Sequence, residues 1–383
     1  MTGSPPIFPL TYREQTIHMS FIEAVTTVDF PYRVAQQAVK QKARTMFTAG
    51  FPSVERLIDA FDNTGIKTRN FCQPLDYYSI PNNFEDRNNE YIRTALEFAS
   101  TAVSECLAQT NTGKEQITDL IVVSTTGLAT PGIDALLINA LKLNPHTNRM
   151  PLWGLGCAGG VSGMAKANMI AIANPDAVVL LLTIELCSLT LINNDYSKSN
   201  FIGSSLFSDG IAACLIKGDH HRPGIADNHH PAVAGHYHPG RLRFTGSSSK
   251  LYYNSLDMMG WEFRDAGFKV VFSRDIPTFI STHIKNDIRV FLAGFGLTLA
   301  DIKHFIFHPG GKKVLDAYTK SLEVAGDFLE KTRETMAEHG NMSSATVLYV
   351  LKKFMEEGFK KGYGLMLAMG PGFSSEMVLL NYA

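Results

Sequence analysis

The stretch Leu152–Ala167, LWGLGCAGGVSGMAKA, decides how this chain is read. Glycines stand on both sides of Cys157, and a small-residue pattern of helical period starts at once and runs over Ala158–Ala173. Such a turn lets a ligand approach the backbone closely and sets a helix N-terminus at the sulfur, where the thiolate is favoured. The same features suit a small buried thiol in a tight strand–helix turn, so the stretch alone leaves both readings open.

Working outward, a short strand leads into the cysteine turn, and contiguous apolar, β-branched runs at Leu120–Ser124, Ala177–Leu186 and Ile211–Ile216 predict strands covered on both faces. Upstream, Ser20–Val25 predicts a strand and Tyr32–Phe47 a polar helix. Asp86–Gln109 carries Ile92, Ala95, Leu96, Ala99 and Val103 on one helical face. Pro131 and Gly132 open a further helix to about Leu141. Downstream come a strand at His304–Phe307, helices near Lys312–Leu322 and Ser344–Glu357, and strands at Gly364–Met369 and Ser375–Leu380. The halves repeat one order of elements, which predicts a duplicated α/β fold split at 1–220 and 221–383. Between them Lys217–Ser249, with six histidines from His220 to His238, reads as an exposed excursion; its spacing fits no metal geometry.

Composition narrows the function classes. The 383 residues are 45% apolar and carry a formal net charge of −1, which gives no electrostatic case for nucleic acid or an anionic membrane. No apolar run approaches the ~20 residues a membrane helix needs, and the first fifteen residues lack the pattern of a signal peptide. Five scattered cysteines without a CxxC pair point to reduced thiols in the cytoplasm, with neither disulfide frame nor zinc.

Two further residues carry chemistry. His308 ends an apolar strand in HFIFHPGGKKVLDA, and Asn341 precedes a helix in EHGNMSSATVLYVL. Singly they are a strand-end histidine and a helix cap. Together, Cys157, His308 and Asn341 lie in glycine-bounded loops that can converge at one end of a sheet. A thiolate takes an acyl group from a thioester, while an imidazole and an amide hold a second thioester as its enolate. Loss of carbon dioxide from malonyl makes that enolate without a strong base, and no buried carboxylate is apparent nearby.

The blocks GCAGG, FIFHPGGKKVLDA, HGNMSSATVL and AMGPGF resemble the signatures of type III polyketide synthases, the chalcone synthase family, in the same order over most of the chain. The resemblance implies a homodimer with a thiolase fold, a duplicated five-layered α-β-α-β-α core. It also implies iterative condensation of malonyl-CoA onto an acyl-CoA starter, with no cofactor and no metal, the coenzyme A thioesters being substrates. Cys157 then carries the acyl group, and His308 and Asn341 stabilise the enolate. Phe207, in SSLFSDG, shapes the junction of tunnel and cavity; Gly370, Pro371, Gly372 and Phe373 line the cavity, as do Leu191 and Ser343; Thr130, in GLATPG, reaches into the partner's cavity.

The departures are informative. Val270 replaces a phenylalanine of the plant enzymes and opens an acyl channel, whereas Trp261 stands where a small residue is expected and narrows the cavity. Arg56 matches one coenzyme A contact, Asp59 and Asn63 replace two others, and Lys67 and Arg69 stand in for them. The stretch LCSLTLINNDYSKSN (Leu186–Asn200) resembles bacterial members that use long fatty acyl starters and make alkylpyrones or alkylresorcinols. Two rivals share the trio: a ketoacyl-ACP synthase III, which lacks the GPGF loop, and a papain-like Cys-His-Asn hydrolase, whose cysteine has another setting.

Overall fold

A computed structural model describes residues 18–48, 50, 54–221 and 241–383. The first half comprises β1 (Ser20–Thr27), β2 (Tyr32–Ala35), α1 (Gln36–Thr48), α2 (Val54–Leu57), β3 (Thr68–Phe71), α3 (Phe84–Gln109), β4 (Asp119–Val123), α4 (Ile133–Leu141), β5 (Asn148–Leu152), α5 (Gly159–Ala173), β6 (Val178–Leu186), α6 (Lys198–Leu206) and β7 (Asp209–Gly218). The second comprises β8 (Leu242–Leu251), β9 (Met259–Arg264), β10 (Gly267–Phe272), α7 (Ile276–Ala293), β11 (Ile302–Phe307), α8 (Lys312–Leu322), α9 (Glu330–His339), α10 (Thr346–Glu357), β12 (Gly362–Gly370) and β13 (Ser374–Tyr382).

The duplication is explicit in the strand order. One half runs β5-β4-β6-β7-β1 and the other β11-β12-β13-β8. Each contains a parallel pair (β4 with β6, β11 with β12) followed by two antiparallel neighbours, and the second lacks only a counterpart of edge strand β5. The two halves join where Phe21 and Ile22 of β1 pair with Arg243 and Leu242 of β8.

Successive side chains of a strand point to opposite faces, so each fully buried strand feeds two cores. Leu180, Leu182 and Ile184 pack under α3 and α4, whereas Val179 and Leu181 face α5 and α10. In the second half Met366 and Ala368 face the same central helices, and Leu365 and Leu367 face α7 and α8. The two halves of the nine-stranded sheet enclose the middle core and carry the other two on their outer faces, which makes five layers, α-β-α-β-α. The middle layer is tight because α5 is built from small residues: a Cβ on Gly160 would run into the carbonyl oxygen of Ser344. Helix α3 starts at a capping box in which Asn83 and Asp86 each bond the other's backbone N–H, satisfying donors a helix start leaves free.

Three expectations need correction. Tyr32–Ala35 is a strand paired with Thr68–Phe71, since its β-favouring Tyr32 and Val34 precede the helix-favouring run of α1. Leu242–Ser249 is not an excursion but most of β8, bonded to β13, and its serines hid it from an apolar-pattern reading. Lys217 likewise belongs to β7. Of the six histidines, His229, His230, His236 and His238 lie outside the described residues. His220 bonds the side chain of Asp176 and His221 its backbone carbonyl.

Candidate active site

Cys157 sits in the middle of a single 3-10 turn, Gly156–Ala158, which runs directly into α5. Gly156 has φ +47°, and a Cβ there would lie 2.6 Å from Cδ of Pro371. A Cβ on Gly370 would meet Leu155 O and the Ala158 backbone. The first two residues of the GPGF loop, which joins β12 to β13, therefore press on the cysteine turn. Gly372 faces Leu251 instead. Phe373 does not reach the cavity: it is buried in the outer core of the second half, with Tyr252 and Phe279 as ring neighbours.

Sγ of Cys157 faces Oγ of Ser343 at 3.7 Å. Burial pushes this thiol up to about 12, the Ser343 contact opposes the rise, and the charge of Glu185 adds to it. The expected gain from the helix N-terminus is outweighed, because removing a thiolate from water costs more than the helix dipole returns. His308 follows β11, its backbone N–H donating to Leu367 O at 2.8 Å. The residue is buried and neither ring nitrogen has a partner among the described residues. Burial pulls the imidazole down to about 3, so it is neutral. Burial thus favours the neutral form of both thiol and imidazole over an ion pair.

Asn341 links the two. Its Nδ2 donates to Gly310 O at 2.9 Å in the loop after His308, and its Oδ1 accepts the backbone N–H of Ser343, the residue facing the thiol, at 2.9 Å. An amide nitrogen has two N–H donors, so one is left to spare.

An inner chamber is lined by Cys157, Phe207, Val270, Trp261, Ser343 and Pro371 among others. An outer chamber contains Leu191 and Arg69, and shares Cys187, Phe207, Trp261 and Val270 with the inner one. Trp261 and Val270 lie directly opposite each other in the β9–β10 hairpin. The Trp261 indole donates to Thr125 O at 3.0 Å, pinning the hairpin over the inner chamber. Six of the expected cavity residues thus meet; Thr130 does not line either chamber of its own chain and is exposed next to a cis Thr130–Pro131 peptide.

The expected coenzyme A cations separate. Arg56 and Lys67 are exposed, whereas Arg69 is 1% exposed and lies inside the molecule. The larger surprise is Glu185, a fully buried carboxyl where none was expected. It accepts from Thr125 N and Oγ1 and from Ser344 Oγ at 2.5 Å, and burial raises it to about 7. A single acid, one place before the end of the largely apolar VVLLLTIEL strand, was the available signal. Among the described residues no group of three or more His, Cys, Asp or Glu could hold a metal, and no helix is long and apolar enough to cross a membrane.

A duplicated five-layered sandwich with a thiol-bearing turn opening its central helix defines a thiolase-fold protein. Residues 78–220 match the N-terminal domain of chalcone and stilbene synthases, and residues 245–382 match the C-terminal domain. A Bacillus subtilis protein described as a candidate chalcone synthase is 43% identical over 371 residues, covering 95% of this chain and 99% of the relative. The 1,3,6,8-tetrahydroxynaphthalene synthase of Streptomyces peucetius is 33% identical, covering 94% and 93%. The crystal structure of the Streptomyces coelicolor 1,3,6,8-tetrahydroxynaphthalene synthase, a bacterial type III polyketide synthase, superposes with a TM-score of 0.86 at 26% identity, covering 94% of this chain and 99% of that one. The chain belongs to the chalcone and stilbene synthase family, the type III polyketide synthases.

Proposed function

We propose that this enzyme loads an acyl group from an acyl-CoA starter onto Cys157 and extends it iteratively with malonyl-CoA, releasing an alkylpyrone or a resorcinol-type product. One observation carries the reading: Cys157 opens onto a cavity from the first half while Asn341, from the second, bonds both the loop after His308 and the turn facing the thiol.

Sγ attacks the starter thioester as its proton passes to the neutral imidazole of His308, and that proton leaves on the coenzyme A thiol. Malonyl-CoA then loses carbon dioxide. The resulting enolate oxygen is held by an N–H of His308 and the spare N–H of Asn341, both buried, which makes them effective donors. The enolate carbon attacks the acyl carbonyl and expels the Cys157 thiolate for the next round. Coenzyme A thioesters are substrates in this scheme, and no further cofactor is called on. The apolar walls of the outer chamber (Val39, Ala43, Met46, Phe47, Leu75 and Leu191) favour an aliphatic starter, up to a long fatty acyl chain. Arg56 and Lys67 are offered as outside contacts for coenzyme A phosphates. Thr130, exposed here, is assigned to a homodimer in which it meets the partner's cavity. The cytoplasm, where malonyl-CoA is made available and thiols stay reduced, is the assigned compartment.

The test is incubation of the purified protein with labelled malonyl-CoA and acyl-CoA starters from acetyl to stearoyl, plus aromatic ones, with products identified by mass. Pyrones or resorcinols bearing several malonyl-derived units support the reading. A single condensation, or turnover only with acyl carrier protein, would replace it with the ketoacyl synthase rival.

A further inference from the structure

Among the described residues Arg69 forms no salt bridge, and yet it is fully buried. It lines the outer chamber, and the aromatic rings of Phe71 and Phe61 lie 5.3 and 5.9 Å from its guanidinium carbon. Its Nη1 donates to the carbonyl oxygens of Ser204 at 2.7 Å and Phe207 at 2.9 Å. Its Nε and Nη2 donate to nothing among the described residues. Asp209 is a buried carboxylate that favours the guanidinium's charge, but its oxygens are taken by Cys72 N and by Ser188 N and Oγ, and it forms no ion pair with Arg69.

The two idle groups are not an arbitrary pair. Nε–H and Nη2–H lie side by side on one edge of the guanidinium plane and point the same way, which is the fork that accepts a carboxylate through two parallel hydrogen bonds. A buried, unpartnered charge is expensive unless a ligand supplies the missing partner. The rest of the chamber agrees in sign: its walls hold Lys42 and Arg69 and no aspartate or glutamate. Lys42 already has a carboxylate partner in the exposed Asp76 at 2.7 Å, so Arg69 is the cation of this chamber with no ion pair among the described residues.

We propose that the outer chamber binds an aliphatic chain ending in a carboxylate, its methylenes along the apolar walls and its far end in the Nε/Nη2 fork of Arg69, which is closed off in the free protein and opens to the chamber as the ligand enters. The starter is then the mono-coenzyme A thioester of a dicarboxylic acid. The inference rests on the condensing-enzyme reading and refines its substrate.

Wild-type enzyme, malonyl-CoA and paired starters of equal length decide it: octanedioyl-CoA against octanoyl-CoA, repeated from four to twelve carbons. A charge-assisted fork predicts kcat/KM on the order of 10–100-fold higher for the carboxylated chain at the best-fitting length. Arg69→Gln brings the ratio within one preparation close to one, which a general loss of folding would not do. If the wild type extends the carboxylated chain no faster at any length, the proposal is overturned while octanoyl extension keeps the condensing reading. Failure to extend any thioester takes both down. Free octanoate and free octanedioate serve as inhibitor controls. Inhibition by octanoate that Arg69→Gln abolishes would put a free fatty acid's carboxylate in the fork and overturn the starter assignment.

Discussion

Phe207 and Asn341 pair backbone to backbone across the two halves: Asn341 N–H donates to Leu206 O at 3.0 Å, and Asn341 O accepts from Ser208 N–H at 2.8 Å. The ring between the two chambers and the amide behind the thiol are therefore held in one register. Neither can shift without breaking buried backbone bonds, each of which is expensive to leave unmade.

Replacing Cys157 with alanine removes the proposed acyl carrier but leaves His308 and Asn341 in place. Chain extension is expected to vanish while slow decarboxylation of malonyl-CoA persists, seen as acetyl-CoA by mass. Extension at near wild-type rate would end the covalent mechanism.

The neutral state of the thiol has a kinetic signature. With Cys157 pushed up to about 12 and His308 down to about 3, the thiolate fraction rises about tenfold per pH unit through the neutral range. Iodoacetamide should therefore alkylate Cys157 with a log rate climbing steadily from pH 6.5 to 9. A plateau reached by pH 7 would reveal a preformed thiolate–imidazolium pair.

Glu185 couples stability to pH. Burial raises its carboxyl from the ordinary 4.5 to about 7, so the folded chain holds a proton that the unfolded chain has already released. Its contribution to stability is full below pH 4.5 and is lost as pH rises through about 7, by about 3 kcal/mol. Glu185→Gln cannot ionise and lacks that slope. Urea unfolding at pH 5 and pH 8 should show the variant gaining on the wild type at the higher pH; parallel shifts would refute the assignment.

Val270 faces both chambers and is 9% exposed. Phenylalanine there adds bulk beside Phe207 and Trp261, and is expected to shift starter preference toward shorter chains by about tenfold, since each excluded methylene is worth about 0.8 kcal/mol. Competition between hexanoyl-CoA and dodecanoyl-CoA measures it, and an unchanged product ratio removes Val270 as a determinant.

Much of the frame was legible because burial on both faces writes itself as contiguous apolar runs: Ala177–Leu186 and Leu120–Ser124 needed no more. The trio was legible through its glycines, which mark places where backbone and ligand crowd together. What escaped was whatever depends on distant partners. Leu242–Leu251 is a strand because β13 and β1 bond it, not because its serines favour one. Arg69 looks like a surface cation among polar neighbours until Phe61 and Phe71 close around it. Phe373 follows the cavity loop in sequence but turns into another core. Glu185 stood in plain view, and only the packing of Thr125 and Ser344 around it gives the acid meaning.

The seam between the halves also limits how such enzymes can be recombined. The thiol's wall comes from one half, and the imidazole and amide come from the other, meeting through close contacts such as Gly160 against Ser344. A chimera that grafts one half from a relative inherits a thiol fitted to a foreign partner. Swapped genes should thus give mostly silent hybrids, rescued by compensating changes along α5 and α10, so that the two halves diverge in step.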